Sequence, residues 1–109
     1  DEQDIFNVTI NESLAVALLT NLLKNAFVHN IDGGHIRITV TKNSITFRNS
    51  GVKNPLDKEH IFERFYQGTK KEGSTGLGLA IADSICRLQH LSIRYYFEQK
   101  EHCYEISRQ

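Results

Sequence analysis

Apolar positions change period several times along the chain, and each change predicts an element. Phe6, Val8 and Ile10 alternate with polar residues, which predicts a short opening strand. From Ser13 to about Asn30 the apolar run is free of Gly and Pro and too long for a strand. It predicts a helix capped by Asn11 or Ser13, with Gly33-Gly34 beyond its end. Ile36, Ile38 and Val40 then alternate with His35, Arg37, Thr39 and Thr41. After Lys42-Asn43-Ser44 the period of two resumes at Ile45, Phe47 and Asn49, which predicts an antiparallel pair. Residues 50–75 read as loop, with one short helix around residues 60–65. A second long helix follows, with Leu77, Ile81, Ser84, Ile85 and Leu88 on one stripe. Ile93, Tyr95 and Phe97, then Tyr104 and Ile106, predict a closing hairpin. The order βαββ(α)αββ defines an α+β class, helices on one face of a mostly antiparallel sheet.

Length and charge narrow the function. The 109 residues fit a single domain, 1–109, able to bury one core without disulfides or metal. Lys+Arg and Asp+Glu both number 13, so the zero formal charge favours neither nucleic acid nor an anionic membrane as partner. Cys86 and Cys103 form no CxxC or disulfide framework, as suits a reducing compartment. No run reaches the roughly 20 apolar residues of a membrane span. Methionine is absent, so Asp1 is expected not to be a translation start, and the chain is expected to be a piece of a longer protein.

Three segments carry candidate chemistry. Asn21, Asn25 and His29 recur at i, i+4, i+8 on the margin of a helix face formed by Leu19, Leu22 and Ala26. They are either boundary groups bonded to backbone or the wall of a pocket, and amide oxygens there would suit Mg²⁺. Asn49 shares parity with Ile45 and Phe47, so it points inward just before Gly51. Asn49-Ser50-Gly51 is therefore either a ligand edge or a plain turn. Gly73-Ser74-Thr75-Gly76-Leu77-Gly78-Leu79-Ala80 leads into a helix and is either a turn or an anion site built from free N–H groups. It lacks the Walker-A Lys-Ser/Thr and the third glycine of a dinucleotide fold. No HExxH, paired Cys/His spacing or Gly-x-Ser-x-Gly elbow occurs, which counts against a metalloprotease or serine hydrolase.

Taken in order, these segments resemble the ATP-binding catalytic domain of sensor histidine kinases, in a superfamily shared with gyrase-type, mismatch-repair and heat-shock chaperone ATPases. Asn21-Leu22-Leu23-Lys24-Asn25-Ala26 is similar to the family's N box, and Asn49-Ser50-Gly51 to its first glycine box. Ile61-Phe62-Glu63-Arg64-Phe65-Tyr66 is similar to its F box, and Thr75-Gly76-Leu77-Gly78-Leu79-Ala80-Ile81 to its second glycine box. The resemblance implies a Bergerat-type two-layer sandwich of helices on a mixed, mostly antiparallel sheet, with ATP between the two long helices. It implies Asn25 as the Mg²⁺ ligand and Asn21 and His29 on the phosphate side. Asn49 and Gly51 would lie at the adenine, and Thr75, Gly76, Leu77, Gly78 and Leu79 at the phosphates. Gly68 to Thr75 would form a lid, with Lys70 and Lys71 either phosphate contacts or solvated loop residues. Phe62 and Phe65 would serve as lid anchors or interdomain contacts.

The implied partners are a phosphoacceptor histidine on a helical hairpin of the same protein and the receiver domain of a response regulator. No nucleic acid and no direct membrane contact are implied. The location would be the cytoplasmic portion of a membrane sensor kinase.

The pattern departs from the family at several points. Asn49 stands for the family's Asp, Lys53 for a second glycine, Val28 for a Lys or Arg, and Gln89-His90-Leu91 for a His-Gly-Gly. A neutral bond contributes about 1 kcal/mol against about 1.5–3 for a charge-assisted one, so adenine binding is expected about tenfold weaker than with Asp. The competing readings are a degenerate interaction module that has lost its nucleotide, and an anti-sigma-type serine kinase or chaperone-like ATPase. The F box argues against the last two.

Overall fold

The computed structural model describes residues 8–66 and 76–109. Helix α1 runs Glu12–Val28, and the side chain of Asn11 caps it by accepting from the Leu14 N–H at 3.2 Å. Strands β1 (Ile36–Val40) and β2 (Ser44–Asn49) follow, then helix α2 (Gly78–Leu88) and strands β3 (Leu91–Glu98) and β4 (Glu101–Arg108). The strands are ordered β1-β2-β4-β3, and every pairing is antiparallel. Gln99 and Lys100 both take positive φ in the two-residue turn between β3 and β4, as a primed hairpin turn requires.

Strand parity divides the sheet into two chemistries. Ile45, Phe47, Tyr95, Tyr104 and Ile106 share the face that meets the helices, where Leu18 and Leu22 of α1 and Ala82, Ile85 and Cys86 of α2 complete the core. The opposite face carries Arg37, Arg48, Arg94, Glu101 and Glu105, paired across strands. Asn11 N–H also donates to Gln89 Oε1 at 3.2 Å, tying the start of α1 to the end of α2.

The fold class is the one expected, while three local expectations are corrected. Phe6 lies outside the described residues, and Val8–Ile10 form no strand. Residues 60–65 are not helical. The backbone there makes turns, with His60 N–H bonding to Asp57, Glu63 to His60 and Tyr66 to Glu63, and Phe65 takes a φ of 66° that no right-handed helix continues through. On α2 the buried residues are Ala80, Ala82, Ile85 and Cys86, whereas Ile81 and Leu88 of the expected stripe are exposed. The small side chains let α2 lie close against α1, so the buried face is turned from the one that the larger residues suggest.

The outer face holds one unexpected group. Glu101 has a side chain only 5% exposed, accepting from Arg37 Nε and Nη2 at 2.9 and 2.6 Å and meeting His35 Nε2 at 2.6 Å. The Arg37 guanidinium holds its carboxyl down at about 2, well below the ordinary glutamate value of 4.5. A depressed carboxylate stabilises the fold above its unfolded pKa, and that contribution fades as pH falls from 4.5 toward 2. Arg37 and His35 are half exposed, so solvent screening leaves only part of that contribution. Urea midpoints across this pH range should fall more steeply in the parent than in Glu101→Gln. Parallel curves would refute the assignment.

Candidate functional site

Helix α1 and the start of α2 meet at an amide and a glycine. Asn21 Nδ2 donates to Ala17 O at 2.8 Å, and its Oδ1 lies 3.4 Å from where a Cβ on Gly78 would stand. The N-cap residue Leu77 offers no capping side chain and the first turn of α2 carries no acid, so among the described residues no acidic side chain of that turn offsets the positive end of the helix. Gly76 has φ of 74°, and an added Cβ would stand 2.7 Å from Phe65 Cα; Phe65 N–H donates to Gly76 O at 2.6 Å. The glycine is therefore required by a backbone crossing as well as by its left-handed conformation. Leu77 and Leu79 are half buried beside it.

Two more amides define the interior. Asn49 is 2% exposed, and its Nδ2 donates to Ser50 O at 2.8 Å, which leaves Oδ1 buried without a partner. Asn25 Nδ2 is likewise buried without a partner. Among the described residues these are the two buried side-chain polar atoms left unsatisfied, and both belong to residues singled out by the sequence. The Asn25 amide lies near the Tyr104 hydroxyl, which burial pushes well above the usual tyrosine range and which the amide pulls back slightly. Tyr104 and His102 share one face of β4, and His102 is the register partner of Asn49. Asn25 of α1 and Asn49 of β2 therefore approach neighbouring positions of one sheet face.

Gly51 has a steric reason to be glycine. A Cβ there would stand 2.9 Å from His29 O and 3.1 Å from His102 Cδ2. His29 closes α1, its N–H bonding to Asn25 O at 3.1 Å, so the end of that helix reaches the loop after β2. Lys70, Lys71 and Thr75 lie outside the described residues. The sequence reading missed Tyr95, His102 and Tyr104, although strand parity with Asn49 was the available signal. It also found no metal-ligand spacing, yet Asp57, Glu59 and His60 bring one ligand atom each within 4.8 Å of one another on the exposed turn after β2. Phe65 is 66% exposed with Arg64 over its ring, while Ile61 is buried in the core and Phe62 and Tyr66 pack against it.

The donor set suits a magnesium nucleotide. Asn49 Oδ1 is an acceptor fixed in direction, because Ser50 O holds the Nδ2 end of the same amide. Asn25 can present oxygen or nitrogen at nearly unchanged shape, since an amide rotation exchanges them.

Helices over one face of an antiparallel sheet, with two unsatisfied amide atoms buried beneath them, make this a two-layer α+β domain. Over residues 10–106 the chain matches the histidine kinase-, DNA gyrase B- and HSP90-like ATPases, and it belongs to that family. It is 43% identical over 84 residues to the sensor histidine kinase RppB of Synechocystis sp., covering 69% of this chain and 18% of that protein. It is 39% identical over 90 residues to the heme sensor protein HssS of Staphylococcus aureus, covering 78% of this chain and 20% of that one. The chain thus spans about a fifth of the length of these relatives. The catalytic domain of the histidine kinase ThkA superposes with a TM-score of 0.76 at 28% identity, over 91% of this chain and 68% of that one. The mycobacterial sensor histidine kinase MprB superposes at 0.78 with 19% identity, over 93% of this chain and 77% of that one, which supports the fold. Within the family the chain is an ATPase domain of the histidine kinase type. No helix among the described residues is long and apolar enough to cross a membrane.

Proposed function

We propose that this domain binds Mg-ATP and donates the γ-phosphate to a histidine on a separate helical hairpin of the same, longer protein. The observation that carries the reading is the pair of unsatisfied amide atoms, Asn25 Nδ2 and Asn49 Oδ1, at the interface of α1 with the sheet. Asn49 Oδ1 accepts from the exocyclic amine of adenine, and Gly51 leaves the loop close beside it. The main-chain N–H groups from Gly76 through Leu79 hold phosphate oxygens at the positive end of α2. Asn21 and His29 line the phosphate side, with Lys70, Lys71 and Thr75 contributing from the intervening segment. Asn25 holds Mg²⁺ by its amide oxygen, with phosphate oxygens and waters as the other ligands, and the ion offsets the triphosphate charge.

Phosphoryl transfer needs positioning and charge neutralisation more than a protein nucleophile, so a domain lacking its own acceptor histidine is sufficient for this half of the reaction. The phosphate then passes to an aspartate on the receiver domain of a response regulator, in two-component signalling. The parent protein is a membrane sensor kinase with this domain in the cytoplasm, bound directly to neither membrane nor nucleic acid. Relatives that are sensor proteins about four times longer support this setting.

Titrating the chain with a fluorescent ATP analogue, with and without Mg²⁺, tests the reading. Saturable binding below millimolar nucleotide, tighter with Mg²⁺ and displaced by ATP more readily than by GTP, is expected. The GTP difference follows from Asn49, whose fixed acceptor would face the carbonyl of guanine. Folded protein that binds no nucleotide would make the domain an interaction module instead. The chain alone should transfer little phosphate, and transfer should appear when its acceptor hairpin is supplied.

A further inference from the structure

The loop that follows Asn49 is held from beneath by a pair of rings. His102 is 3% exposed and Tyr95 6%. Their rings stack with centroids 5.9 Å apart, and Phe97 closes over His102 at 4.8 Å. Leu56 N–H donates to the Tyr95 hydroxyl oxygen at 2.9 Å. His102 Nδ1 lies 2.7 Å from that hydroxyl, and Nε2 lies 2.7 Å from Val52 O. Val52 O can only accept, so its partner Nε2 carries the proton; Nδ1 then accepts from Tyr95 O–H. Burial lowers the pKa of His102, in keeping with a neutral ring of this tautomer. The result is a directed chain, Leu56 N–H to Tyr95 O–H to His102 Nδ1, and His102 Nε2–H to Val52 O. It pins two points of the loop, Val52 and Leu56. The same ring sits 3.1 Å from the Cβ position of Gly51, and its backbone pairs with Asn49.

We propose that His102 is a positioning residue for the nucleotide site, holding the loop from Gly51 to Leu56 and, through it, the direction of the Asn49 acceptor. It touches no phosphate and moves no proton; it acts through Val52, Tyr95 and Gly51. This inference rests on the nucleotide reading above, and it explains a buried histidine that the nucleotide contacts do not use. An apolar residue at 102 would fill the space equally well. It would leave Val52 O unpaired and Tyr95 O–H without its acceptor.

The test compares His102→Phe, which keeps a ring and loses both bonds, with His102→Gln, which keeps a donor near the Nε2 position. Both are measured at a temperature where circular dichroism shows them folded. The fluorescent ATP analogue should bind about tenfold more weakly to His102→Phe and within about threefold of the parent to His102→Gln. In nucleotide-free protein, amide hydrogen exchange across residues 51–56 should accelerate in His102→Phe, with residues of β3 and α1 little changed. If His102→Phe does not fold, Tyr95→Phe removes only the hydroxyl and should show the same faster exchange with about fivefold weaker binding. A His102→Phe protein that binds like the parent, or an equal loss in His102→Gln, overturns the proposal. A parent that binds no nucleotide overturns the functional reading itself, and this inference with it. The parent titration therefore separates the two failures.

Discussion

Replacing Asn25 by alanine is expected to weaken Mg-ATP binding by at least about tenfold while leaving the nucleotide-free domain as stable as its parent. Each half of that outcome has its own physical cause. The amide oxygen is the only ligand the chain is proposed to give the metal, so its loss removes most of the difference between titrations with and without Mg²⁺. The folded state loses little, because Asn25 Nδ2 finds no well-formed bond and an unmade bond of that kind costs about 1–3 kcal/mol, which offsets the loss of the amide beside the Tyr104 hydroxyl. Alanine also has the higher helix propensity on α1. Fluorescence titration and thermal melts on the same samples measure both halves. A large drop in melting temperature with unchanged nucleotide affinity would make Asn25 a structural residue.

A second large effect is expected from Asn49→Asp. The substitution looks mild on the sequence, since an Asp at this place would match the family pattern more closely. The structure gives the opposite expectation for the nucleotide-free protein. Asn49 is 2% exposed, and its Nδ2 donates to Ser50 O. A carboxylate would set an oxygen against that carbonyl and bury a charge without a partner, costing about 3 kcal/mol or more at neutral pH. Burial raises the pKa of the introduced group above its unfolded value, so the folded state binds its proton more readily and the defect shrinks as pH falls. Denaturation midpoints at pH 8 should therefore drop far more than those at pH 5. Equal midpoints for parent and variant at pH 8 would mean that the position is open to water, contrary to its burial.

Most of the architecture could be read from residue order because its elements follow one period at a time. Ile36 to Val40, Ile45 to Asn49 and the final hairpin alternate cleanly, and the sheet uses that alternation. The buried face of α2 could not be read in the same way. Two helical stripes offset by one position both fit its sequence, and the larger apolar residues favour the one that the fold exposes, with Ile81 and Leu88 outward. Ala80, Ala82 and Cys86 carry a weaker hydrophobic signal, yet their small size is what allows the helices to approach. The helix expected at residues 60–65 does not form there, because the left-handed φ of Phe65 is set by its crossing with Gly76, eleven residues further on.

The site divides similarly. Asn21, Asn25 and Asn49 stood out as polar residues on or beside apolar faces, an anomaly visible in one dimension. The Tyr95–His102–Val52 chain did not, because it joins two strands and a loop that only the sheet register brings together. Glu101 was hidden for the same reason, its partners His35 and Arg37 lying more than 60 residues away.

The bond from Phe65 N–H to Gly76 O has a consequence for how such a domain can vary. It holds Phe65 and Gly76 side by side, and both positions are set by backbone rather than by side chains. Residues added or removed between them would change the closure entropy only slowly with length, while the start of α2 keeps its station. Selection could therefore rewrite that stretch to suit a different acceptor without renegotiating the rest of the molecule.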